Sequence, residues 1–370
     1  MRLSKPVRRA LIGLATLAAL ALLTLALPVP AWRTGRGGIE PIALAPAGAY
    51  AATGSRVWID TDAACGAGRR TDPDDCLALL ALLRADGLRI AGISTVFGNA
   101  PLDVTDRTAR ELTRRLAGEG MQVPAVRRGL AAAIDRDPAA TPAQAALRAA
   151  LAEAPLVIVA LGPLSNIAAV LRDAPALRAH VERLVVVMGQ RPGHVFHPAE
   201  GGTARMLLGH GPVFRDFNFV GDAKAAATIL ALGVPLVLVP YEAAQAVEIT
   251  AADLDAMSRD GAAARWVAAG SRAWLDFWRG EIGQRGFFAF DLVAAAYLLH
   301  PQRFRCAAVR AGIEARPWWL RWLLGDAGLF VARLGEEGPR DAPERVIYCP
   351  QPDAAVHDDM LADLTRSAQR

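Results

Sequence analysis

Val57-Trp58-Ile59-Asp60-Thr61-Asp62 is a short β-branched and aromatic run that ends in acids, and Asp74-Asp75-Cys76-Leu77-Ala78-Leu79-Leu80 lies a loop away. Val57 to Thr61 reads as a buried strand and the second stretch as the opening of a helix, predicted over Asp74 to Ala85. Working outward, the same alternation repeats. Strands are predicted over Arg89 to Val96, Leu156 to Leu161, Leu184 to Met188 and Pro235 to Pro240. Helices are predicted over Val104 to Leu116, Leu164 to Leu171 and Ala223 to Leu232. Uninterrupted apolar strands separated by helices indicate an α/β fold, a mostly parallel central sheet flanked by helices, in a single large domain. In such sheets ligands gather beyond the carboxyl ends of the strands, where Asp62 stands.

The 370 residues are 53% hydrophobic, and part of that share sits in one block. Residues 1–9 carry Arg2, Lys5, Arg8 and Arg9 without an acid, and an uncharged apolar run from Ala10 to Leu27 follows, closing on Pro28-Val29-Pro30-Ala31. This is the pattern of a signal peptide cleaved after Ala31 or of a retained signal anchor in the membrane; a buried N-terminal core helix is the plainer alternative. The expected organisation is a signal segment over 1–31, a Gly/Pro/Ala linker over 32–54 and the folded domain over 55–370, exported to the periplasm or held outside the cytoplasm by the anchor. Residues 1–31 hold four of the 41 Lys and Arg and none of the 37 Asp and Glu, so the remainder carries 37 of each. A neutral body with Lys224 as its one lysine excludes a basic nucleic-acid surface. Four cysteines in an exported chain allow three pairings; Cys65 with Cys76 and Cys306 with Cys349 is the expected one, against free buried thiols.

Asp60, Asp62, Asp72, Asp74 and Asp75 converge on one strand end. Helix capping explains one or two acids at a helix start, each worth about 1 kcal/mol. It does not explain five. Carboxylates so close repel unless a hard cation neutralises them, and an all-oxygen set suits Ca²⁺ or Mg²⁺ rather than zinc. Later strand ends add Gly98-Asn99, Gly162-Pro163-Leu164-Ser165-Asn166 with a carbonyl at Leu161, Met188-Gly189, Asp216-Phe217-Asn218 and Phe290-Asp291.

Taken together, these segments resemble the inosine-uridine-preferring nucleoside hydrolase family, over about Arg56 to Arg305. The likeness lies in six motifs in order: the D-x-D with the later D-D, the G-N, the G-P-L-S-N turn, the M-G, the acid-F-N and the late Asp. It implies Ca²⁺ held by Asp62, Asp75, Asp291 and the Leu161 carbonyl. It further implies that Asp74, Asn99, Met188, His210, Asp216, Asn218 and Phe290 line the substrate, with Asp74 facing the 2′-hydroxyl and Asp216 the 5′-hydroxyl. The implied reaction is calcium-dependent hydrolysis of the N-glycosidic bond of a small nucleoside, with Asp62 accepting the proton of the attacking water.

The sequence departs from that pattern in three places. Ala63 to Pro73 stands where the family has three residues, Asp216 where it has Glu, and His210 where it has Asn. Phe290 replaces the His that some members use to protonate the leaving base, which favours purines by stacking; a strong preference for uridine in purine and pyrimidine kinetics would refute that expectation. Two other readings compete. An exported nucleoside- or ribose-binding protein of the same fold would lack turnover. A haloacid-dehalogenase-like phosphatase also begins with D-x-D after a strand, but Cys65 and Lys224 fit its pattern poorly. His194, His197 and Glu200 form a possible acid or second metal set in an insertion. Trp318, Trp319 and Trp322 with Leu320, Leu323 and Leu324 form an apolar patch for core packing, a homo-oligomer contact or a membrane interface.

Overall fold

The computed structural model describes residues 12–19, 45–46, 56–135, 140–190, 215–316, 318, 321, 325–333 and 346–366. Its centre is a mixed sheet. We label β1 Arg56–Thr61, β2 Arg89–Thr95, β3 Val126–Arg128, β4 Leu156–Ala160, β5 Val181–Val186, β6 Leu236–Leu238, β7 Phe304–Ala315, β8 Ala327–Arg333 and β9 Val346–Pro352. The spatial order is β3-β2-β1-β4-β5-β6-β9-β7, with β8 and the short strand Ala45–Pro46 also paired to β7. The strands from β3 to β9 in this order run parallel; β7 pairs antiparallel with β9, β8 and Ala45–Pro46.

Both faces of the parallel part are covered, which is why its strands read as continuous apolar runs. Along β1, Val57 and Ile59 point into one core and Trp58 into the other. The flanking helices are α1 Asp74–Arg84, α2 Leu102–Gly118, α3 Pro142–Glu153, α4 Ser165–Asp173, α5 Phe217–Gly221, α6 Ala223–Leu232, α7 Ala251–Met257, α8 Ala262–Phe277, α9 Phe290–Leu299 and α10 Val356–Leu364. Every residue of α1 is buried, because the helix lies under the sheet and is packed by α9 and α10. Such a helix carries no polar face, and its apolar run matches that position.

Register aligns the strand ends. Asp60 sits opposite Ser94 on one side and Ala160 on the other, Ala160 opposite Val186, and Val186 opposite Leu238. The residues that follow β1, β2, β4 and β5 therefore emerge along one edge.

Two disulfides join Cys65 to Cys76 and Cys306 to Cys349, and no cysteine among the described residues is free. The second ties β7 to β9 at the antiparallel side of the sheet. It closes a loop of 43 residues. Replacing Cys306 and Cys349 by Ala together is expected to cost about 2–4 kcal/mol, readable as a lower midpoint in urea unfolding with nucleoside turnover retained at low urea.

Among the described residues no helix is long and apolar enough to cross a membrane; at the N-terminus only the exposed helical turn pair over 12–19 is described. The membrane segment expected over 1–31 thus finds no support among the described residues. His194, His197, Glu200 and His210, and with them Trp319, Trp322, Leu320, Leu323 and Leu324, lie outside the described residues. Trp318 is described and strongly exposed.

Candidate active site

Asp62 leaves the end of β1 and Asp74-Asp75 open α1, so sheet edge and helix start meet at one point. Three local bonds hold them. The Thr61 hydroxyl donates to Asp75, the Asp62 amide donates to Asp75 Oδ1 at 3.1 Å, and the Asp75 amide donates to Asp74 Oδ1 at 3.0 Å. Asp62 is received by glycines. A Cβ on Gly98 would stand 1.9 Å from Asp62 Oδ2, and one on Gly162 2.9 Å from its Cγ. Gly98 also has φ +155, a conformation other residues avoid. Its neighbour Asn99 donates its amide to Asp62 Oδ2 at 2.7 Å. Gly98→Ala is therefore expected to displace Asp62, with about 1–3 kcal/mol of stability lost, readable as a lower melting temperature.

The 63–73 insertion is accommodated as an outward strap. The Cys65–Cys76 bond closes its foot. Its far end returns to the sheet through Asp72, whose carbonyl accepts from Asn99 Nδ2 at 2.7 Å and whose amide donates to Asn99 Oδ1 at 3.2 Å. Asn99, read from the sequence as a sugar contact, thus also clamps the strap.

Asp291 comes from the start of α9, 217 positions beyond Asp74, and its amide donates to Asp74 Oδ2 at 2.9 Å. Oxygens of Asp74, Asp75 and Asp291 lie within 4.8 Å of one another, all three residues buried. Asp62 adjoins this trio through its amide bond to Asp75. Burial, then the charges of Asp74, Asp75 and Asp62, push the Asp291 carboxyl well above the usual carboxylate range. Asp62 is raised likewise by burial and by Asp75, and Asp74 is pushed up to about 6 by burial and Asp75. Four buried carboxylates that resist ionisation side by side are a donor set for a hard cation, and the fit is with oxygen-loving ions.

Asp60, one step inside, is wholly buried and accepts from the Ser94 hydroxyl and, at 2.8 Å, from Asn166 Nδ2. Burial raises it to about 7. The last residue of the Gly162–Asn166 turn works as a brace: Asn166 also donates to the Thr95 carbonyl and accepts from the Leu130 amide.

The sugar-facing candidates gather on the other side. Asp216 accepts from the Gly189 amide at 2.8 Å and the Phe219 amide at 3.0 Å, and burial lifts it to about 6. Asn218 Nδ2 donates to the Leu161 carbonyl at 2.5 Å and to the Val187 carbonyl at 3.0 Å. The carbonyl expected to face a cation is therefore already an acceptor, with one lone pair left. Asp62, Asp74, Asp75, Asp291, Asn99, Met188, Asp216, Asn218 and Phe290 all line one cavity of about 640 Å³. The cavity also takes in residues the sequence reading passed over, chiefly Arg70, Tyr241, Trp274 and Phe277. Trp274 and Phe277 stand three apart on α8, a spacing indistinguishable from core packing.

Residues 57–327 match the family described as inosine-uridine preferring nucleoside hydrolase, well over half of the chain. The chain belongs to this nucleoside hydrolase family. Among curated relatives, the non-specific ribonucleoside hydrolase RihC of Escherichia fergusonii is 28% identical over 270 residues, 66% of this chain and 83% of the relative. The RihC of Escherichia coli O6:H1 is 28% identical over 273 residues, with the same coverage. Among solved structures, a plant nucleoside hydrolase superposes with TM-score 0.66 at 19% identity, covering 84% of this chain and 99% of that one. A purine-preferring ribonucleoside hydrolase from Gardnerella vaginalis gives 0.65 at 16% identity, covering 84% and 98%. The nucleoside hydrolase fold accounts for the mixed sheet, and the family makes this chain an N-glycosidic hydrolase with an acidic cluster able to hold a metal.

Proposed function

We propose that the chain hydrolyses ribonucleosides to ribose and free base with Ca²⁺ as its cofactor. The observation that carries this reading is that the buried acids Asp62, Asp74, Asp75 and Asp291 line one cavity of about 640 Å³, with oxygens of Asp74, Asp75 and Asp291 within 4.8 Å of one another. Asp62, Asp75, Asp291 and the Leu161 carbonyl would hold the ion. When bound, Ca²⁺ supplies a positive centre that orients a water and the ribose hydroxyls and makes the water more acidic.

The remaining work falls to the chain. Asp62, fixed by the Asn99 amide, accepts the proton of the water that attacks the anomeric carbon. Asp74 and Asn99 receive the lower hydroxyls of the ribose, and Asp216 with Asn218 the 5′ end. As the bond to the base lengthens, the sugar gains oxocarbenium-like positive charge, which the surrounding carboxylates favour. Phe290, Trp274 and Phe277 offer an apolar aromatic side to the base and exclude water from it. The two disulfides support export to an oxidising compartment.

Incubating the full chain with Ca²⁺ and inosine or uridine, without phosphate, is the direct test. Free base and reducing sugar should appear in equal amounts. Saturable nucleoside binding without release of base would instead identify a binding protein.

A further inference from the structure

The cavity divides by charge. Its acids are buried apart from the half-buried Asp72, whereas the cations among its described lining residues, Arg70 and Arg215, are exposed. Arg70 belongs to the 63–73 strap, which lies directly on α8: a Cβ on Gly270 would come within 3.1 Å of the Gly66 amide nitrogen, so backbone meets backbone there. The strap's foot is the Cys65–Cys76 bond, and its tip is set by Arg70, whose guanidinium carbon sits 5.2 Å from the centre of the Phe277 ring. Glu281, in the π-helical turn that continues α8, pairs with Arg70 and also with Arg69 at 3.3 Å. One carboxylate between two guanidinium groups leaves the tip net positive. Phe277 is almost fully buried and stacks against Trp274, its ring centre 5.0 Å away. A guanidinium therefore lies against the aromatic wall of the cavity.

The proposed reaction makes opposite charges at the two ends of the substrate, positive on ribose and negative on the departing base. The acids answer the first. Phe290 has no proton to give and no charge to answer the second. We propose that Arg70 is the electrophilic contact to the leaving base, a role delivered by the inserted strap; this rests on the nucleoside hydrolase reading above. As the attacking water forms its bond to the anomeric carbon, Asp62 takes one of its protons and the electron pair of the breaking C–N bond passes to the base nitrogen. Arg70 stabilises that anion electrostatically and keeps its own protons, as an arginine must. The base is then protonated by solvent at the mouth, where the Arg70 side chain is 68% exposed.

The test compares two substrates with Ca²⁺ present: inosine, whose base is a poor leaving group, and 4-nitrophenyl β-ribofuranoside, whose phenolate leaves unaided. Arg70→Ala should lower kcat/KM for inosine by about tenfold to a hundredfold and change the nitrophenyl riboside by less than about twofold. Arg70→Lys should recover part of the loss, and Arg69→Ala should alter neither substrate. Equal losses on both substrates, or none on inosine, would overturn the role of Arg70 while leaving nucleoside hydrolysis standing. If the unmodified chain cleaves neither compound, the functional reading falls and the inference with it.

Discussion

Changing Asp62 to Asn is expected to lower kcat for nucleoside hydrolysis by about 10²–10⁴-fold while the fold survives. The size follows from what the change removes, a positioned proton acceptor in the transition state. The survival follows from what it keeps. An Asn oxygen still accepts from the Asn99 amide now 2.7 Å from Asp62 Oδ2, and the side chain still fits between Gly98 and Gly162. Rates over a Ca²⁺ titration separate the two roles proposed for Asp62: a lost base lowers kcat at saturating ion, and a lost ligand raises the concentration needed. A fall of less than tenfold at saturating Ca²⁺ would remove Asp62 from the chemistry.

Chelation should be the second large effect, abolishing turnover and lowering the melting temperature. A cation that binds only the folded chain stabilises it by about 2.7 kcal/mol at a concentration a hundredfold above its Kd, which for a domain of this size is a shift of roughly 4 °C. The chelated protein should also acquire a pH dependence of definite sign. The folded carboxyls of Asp62, Asp74, Asp75 and Asp291 are raised above their unfolded values by burial and mutual charge. Their contribution is thus fully present below about pH 4 and is lost as pH rises through the folded values, about 6 for Asp74. Added Ca²⁺ should flatten this fall, because the ion takes the place of the protons. A chelated melting temperature that climbs between pH 5 and 7 would contradict the crowding of charge described here.

The parallel half of the fold was legible because strands buried on both faces leave unbroken apolar runs, as in Val57–Ile59 and Leu156–Ala160. Strand limits differ from the expected ones by up to three residues at the start and two at the end, for instance β5 at Val181–Val186 against Leu184 to Met188. The antiparallel side was not legible. β7 alternates buried and half-exposed residues and carries Arg305, Arg310 and Glu314, so it lacks the signal of its parallel neighbours. Helix α3, with its Thr141–Gln144 capping box, is so rich in alanine that its periodic contrast is weak. In the site, Asp62, Asp74 and Asp75 stood out as a local cluster, but only the family resemblance reached Asp291, because nothing local ties residue 291 to residue 74. The insertion could not be placed from sequence at all. Its course depends on Gly66 lying against Gly270 and on Asp72 meeting Asn99, contacts between segments that no linear pattern connects.

The sulfur bridge at the foot of the strap couples the shape of the site to thiol oxidation. Cys65 and Cys76 enclose Asp72, Asp74 and Asp75 and leave Asp62 outside, so the spacing of these acids depends on oxidation as well as on folding. Reducing the Cys65–Cys76 bond should therefore slacken the strap and, through Cys76, the helix start that carries Asp74 and Asp75.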